Sequence, residues 1–63
     1  MTEEEYIVAT NRTKVSIALT IMRDVYSGDG YGISDEDSAT ITKLLSAAQF
    51  ALYDRTDELQ VSE

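Results

Sequence analysis

Cysteine and histidine are both missing from this chain. The first absence excludes disulfides and thiol nucleophiles, and the two together remove the side chains on which structural zinc sites and most general-base catalysis rest. A serine or threonine nucleophile would need a lysine to activate it, and Lys14 and Lys43 are the two available. Proline is absent as well, and the three glycines all fall within residues 28–32, so nothing interrupts a helix on either side of them. Basic residues are scarce: five Lys and Arg stand against twelve Asp and Glu, for a formal charge of -7. A phosphate-binding surface needs clustered cations, so nucleic acid is not an expected partner. No apolar run approaches the ~18 residues of a membrane span, and Met1 to Tyr6 carries neither the basic start nor the apolar run of a signal peptide. The expectation is a cytoplasmic protein with no membrane partner, no metal, no cofactor and no catalytic residues. At 63 residues a lone chain struggles to bury enough surface, and with no disulfide or metal to help, self-association is the natural remedy.

What the chain does contain is two matched amphipathic stretches. Residues 3–27 and about 35–58 read as helices, joined by a glycine-rich loop at 28–34 and followed by a frayed tail at 59–63. The fold class is therefore all-α, an antiparallel two-helix hairpin, and the expected assembly is a dimer of hairpins forming a four-helix bundle. With Val8 at heptad position a, Val15 and Met22 also fall at a, and Asn11, Ala18 and Val25 at d. Leu19 and Tyr26 lie at e and Ile7 and Ile21 at g, a stripe broad enough for more than one neighbour. The second stripe runs Ile41, Leu44, Leu45, Ala48, Ala51, Leu52 and Leu59. Thr2 and Glu5 have capping-box spacing, Met1 and Tyr6 have staple spacing, and Ser34 or Asp35 can cap the second arm. Gly28 is the expected stop of the first arm. Asn11 reads as a polar position fixing register, and Arg55 as an ion-pair partner of Glu4 or Glu5 at the open end.

Several large apolar groups fall outside these stripes. Tyr6, Ile17 and Ile21 align on the first arm, and Phe50 and Tyr53 on the second, so these five are the candidate interface for an oligomer or another protein. In the loop, Tyr31 and Ile33 are candidate contacts. The acids around the loop invite comparison with a calcium-binding helix–loop–helix, but in either register of the central glycine required ligand positions hold Val25, Ser27, Tyr31 or Ser38. An antiparallel hairpin gathers Glu3, Glu4, Glu5, Asp54, Asp57 and Glu58 at one acidic pole, suited to a partner with a basic surface. Together these features point to a small acidic non-enzymatic protein that binds itself and another protein, which it modulates by inhibition. By class-level analogy, phages and mobile elements encode such inhibitors of host enzymes or defence complexes. Two alternatives stay open: a binder of small anionic ligands through Arg12, Lys14, Arg23 or Lys43 with tyrosine stacking, and a structural assembly module.

Overall fold

The computed structural model describes residues 1–61 and shows two helices packed side by side, with no strand among the described residues. Helix α1 spans Glu3–Arg23 and helix α2 spans Asp35–Val61. The hairpin is a rod of 51 × 14 × 11 Å.

Both helix starts follow from side-chain capping. The Thr2 hydroxyl accepts from the Glu5 N–H at 3.1 Å, and the Glu5 carboxylate accepts from the Thr2 N–H at 3.4 Å, so two otherwise orphaned donors are satisfied. Ser34, not Asp35, caps α2, its Oγ accepting from the Asp37 N–H at 3.1 Å. The two residues with staple spacing are both exposed, Met1 at 90 % and Tyr6 at 63 %. Tyr6 points away from α2, whereas Met1 reaches the open end of the hairpin beside Val8 and Leu59.

The first helix stops earlier than the glycine signal suggests. Asp24 is its C-cap, with its N–H donating to the carbonyls of Ile21 and Met22. The connection therefore runs over residues 24–34, longer than the expected 28–34. Hydrogen bonds that close the loop on itself occupy the extra residues. The Ser27 hydroxyl donates to Asp35 Oδ1 at 2.6 Å and the Gly28 N–H donates to the Ile33 carbonyl at 2.9 Å, so residues before Gly28 are needed to close the base of the loop. Gly28 sits there at φ 118°, a conformation in which side chains are strained. At the other end, α2 continues through residues 59–61, where a frayed tail was expected, with Leu59 half-buried against the first helix's groove; residues 62–63 lie outside the described residues.

The seam between the helices is rotated relative to the stripes read from sequence. On α1 the inward positions are Glu5, Val8, Arg12, Val15, Leu19 and Met22. On α2 they are Ser38, Thr42, Leu45, Gln49, Leu52, Thr56 and Leu59, and both sets follow alternating steps of three and four. Asn11 is thus exposed and Arg12 takes the polar position in the seam. Ile41, Leu44 and Ala51 are exposed, correcting their assignment to the intrachain stripe. Thr42 and Thr56 are tolerated because each hydroxyl donates to a carbonyl of its own helix, Ser38 and Leu52 respectively, at 2.9 Å. A seam so rich in polar groups encloses little: among the described residues Val8, at 8 % exposure, and Leu19, at 5 %, are the buried apolar side chains.

Candidate partner interface

The rod has two broad faces, each with contributions from both helices. One is marked by Arg55 of α2, whose guanidinium pairs with Glu4 of α1 and with Glu58 one turn along its own helix, at 2.9 Å to the latter. Hydrogen bonds to Glu58 and then to Glu4 hold the Arg55 pKa above its ordinary value. This is the expected ion pair at the open end, and it braces the pole where Glu3, Glu4, Glu5, Asp54, Asp57 and Glu58 gather.

The opposite face is built around Arg12 and Tyr53. Arg12 Cζ lies 4.2 Å from the centroid of the Tyr53 ring, a stacked cation–π geometry. Its Nη1 donates to Thr56 Oγ1 at 3.4 Å, while its Nε is buried with no acceptor among the described residues. Tyr53 and Arg12 share an open groove with Ala9, Thr13, Ser16 and Ile17. Phe50, one turn before Tyr53, projects 70 % exposed beside it. A second depression, lined by Met1, Val8, Arg12, Thr56 and Leu59 among others, holds about 170 Å³. That is below the ~300 Å³ at which small-molecule pockets begin, whereas the groove at Tyr53 holds about 410 Å³ but lies more open to solvent.

The five residues singled out by sequence do not form one patch. Ile17 and Tyr53 meet in the groove, with Phe50 adjoining. Tyr6 lies on the outer side of α1, and Ile21 turns toward the flank that carries the Glu4–Arg55 pair; both are exposed. In the loop, Tyr31 stacks obliquely on Tyr26, with ring centroids 5.9 Å apart and planes at 33°, while Ile33 is half-buried. Among the described residues no group of three or more acids is disposed to hold a metal ion, and no helix is long and apolar enough to cross a membrane. The chain matches no family model, and no curated protein or solved structure is significantly similar to it.

Sequence reasoning found the aromatics but not the residue that organises them. Arg12 was one of four interchangeable cations in the sequence; its stacking on Tyr53 depends on a contact between residues 41 positions apart. The four-residue step from Arg12 to Ser16 and the three-residue step from Phe50 to Tyr53 are weak signals alone.

Proposed function

We propose that the chain is a small acidic, non-enzymatic interaction protein of the cytoplasm that acts as a dimer of hairpins and binds and inhibits another protein. The observation supporting this reading is the Arg12–Tyr53 stack flanked by exposed Phe50 and Ile17. Arg, Tyr and other aromatics are the residues that dominate binding energy in protein interfaces, and here one of each stands in a pre-ordered cluster beside an open groove. The acidic pole at the open end of the hairpin suits a partner with basic surface around this cluster. The test is affinity capture with the native chain, Phe50→Ala and Tyr53→Ala, each checked for unchanged helicity by circular dichroism. The reading requires that the variants lose the captured protein. Equal capture by all three sinks it.

A second reading rests on the same stack: a small anionic ligand held by Arg12 over Tyr53. The open groove gives it little enclosure, and the net charge of -7 opposes it. A thermal-shift screen with nucleotides and other anions distinguishes the two, because saturating ligand raises the melting temperature and a protein-binding groove stays silent.

A further inference from the structure

The face that carries the Glu4–Arg55 pair holds a second set of heptad positions. On α1, Ile7, Asn11, Lys14, Ala18 and Ile21 are spaced by four and three; on α2, Ile41, Leu44, Ala48, Ala51 and Arg55 are spaced by three and four. Each position of this set directly precedes a seam residue, as Leu44 precedes Leu45 and Ala18 precedes Leu19. One residue is about 100° of helical rotation. Each helix therefore carries two stripes roughly a right angle apart. A two-stranded pair needs one stripe per helix, whereas in a four-helix bundle every helix meets two neighbours at about this angle. Because the helices are antiparallel and both second stripes are displaced in the same sense along the chain, the two stripes come out on one broad face. The Glu4–Arg55 contact, made by residues of that face on opposite helices, agrees with this placement.

We infer that this face, and not the aromatic one, is where a second copy of the chain docks. The inference rests on the dimeric reading above and assigns its interface. Three further observations identify the occupant. Leu44 is 64 % exposed and Ile21 61 %, with Ile7 and Ile41 also exposed, and the short side chains of Ala18, Ala48 and Ala51 on the same stripes leave room for the side chains of a second helix pair to approach closely. The chain exposes 4902 Å², about 900 Å² more than the ~4,000 Å² expected of a monomer of 7.0 kDa. That surplus is close to the ~800 Å² that each partner contributes to a standard interface. Finally, Asn11 and Lys14 interrupt the α1 stripe, and polar groups at such positions set register and subunit number in helical bundles. The register role read for Asn11 in the sequence thus passes from the hairpin seam to the dimer. The aromatic face, with Arg12, Phe50 and Tyr53, stays free for the other partner.

Because the native chain has no cysteine, single cysteines report the interface without competing labels. Leu44→Cys and Phe50→Cys are alkylated under native conditions over a range of protein concentration, and sedimentation velocity records the mass of each. The proposal expects particles of two chains and, at high concentration, alkylation of Leu44→Cys at least ~10-fold slower than of Phe50→Cys, the gap closing on dilution. Equal rates at every concentration, protection of Phe50→Cys instead, or protection of Leu44→Cys that appears only when another protein is added each overturn it. Partner capture through Phe50 and Tyr53 reads the other face, so failure there leaves this result standing.

Discussion

Replacing Arg12 by methionine separates what the folded hairpin needs from what the proposed partner needs. Methionine keeps an unbranched stem of similar reach and good helix propensity, so the packing of the Arg12 stem in the seam is largely retained. Three terms then change. The buried Nε that has no acceptor disappears, which relieves about 1–3 kcal/mol of unmet desolvation. The cation–π contact with Tyr53 is lost, at about 0.5–1 kcal/mol. The bond to Thr56, at 3.4 Å, is long and contributes less than about 0.5 kcal/mol. The formal charge moves by one unit from -7, a change that ~0.15 M salt largely screens. The balance is a gain of about 1 kcal/mol, or a rise of roughly 4–8 °C in melting temperature for a domain of this size. Thermal melts by circular dichroism at one fixed, high protein concentration measure it, since association shifts the midpoint. In parallel, Arg12→Met should lose partner capture while becoming more stable. A fall in melting temperature of more than about 5 °C would show that Nε finds an acceptor in solution and that the guanidinium braces the fold.

Leu19→Ala removes one of the two apolar side chains buried among the described residues and should cost about 2–4 kcal/mol in urea unfolding; a loss below about 1 kcal/mol would place the seam elsewhere. Gly28→Ala meets no crowding, the nearest atom to the new Cβ being Asp35 Oδ1 at 3.7 Å, so its cost is the positive φ alone. About 1 kcal/mol is expected, read as a melting temperature lowered by several degrees, and an unchanged melt would mean that the loop re-forms without strain.

The hairpin itself was legible because its punctuation is local. Thr2 with Glu5, Ser34 with Asp37 and the glycines of residues 28–32 act within a few positions of one another, and so does the apolar spacing of each arm. Two things were not. The end of α1 goes with the bonds from Ser27 to Asp35 and from Gly28 to Ile33, which close the loop and which no residue pattern announces. The rotation of the seam was hidden because each arm offers two stripes with identical spacing, and residue type merges them: it finds Val8, Val15, Leu19 and Met22 of α1 and Leu45, Leu52 and Leu59 of α2, but adds Asn11, Ile41, Leu44 and Ala51 from the outward stripe. Thr42, Thr56 and Arg12 look like surface residues, yet the hydroxyls are satisfied on their own helix and the guanidinium lies over Tyr53, so their stems can face inward. For the candidate site, Phe50 and Tyr53 stood out as aromatics left over from the stripe, while the role of Arg12 needed the cross-helix contact.

That inversion has an energetic consequence. The intrachain seam of α2 carries Ser38, Thr42, Gln49 and Thr56 among its three leucines, whereas Ile41 and Leu44 of α2 and Ile7 and Ile21 of α1 face outward. These four side chains are 38–64 % exposed, so covering what remains contributes about half of the ~1.5–3 kcal/mol of a full side chain, or roughly 3–6 kcal/mol per chain before the entropy of association is subtracted. This is a large fraction of the net stability of a typical small domain, about 5–15 kcal/mol. The hairpin alone has two buried apolar side chains among its described residues to set against the ordering of its backbone. Folding and pairing of the proposed dimer should then be one event. Helicity and particle mass should fall together on dilution, and the melting midpoint should rise with protein concentration. A chain that kept its helicity at dilutions where sedimentation shows single copies would refute the coupling, because the poorer stripe would then suffice to hold two helices together unaided.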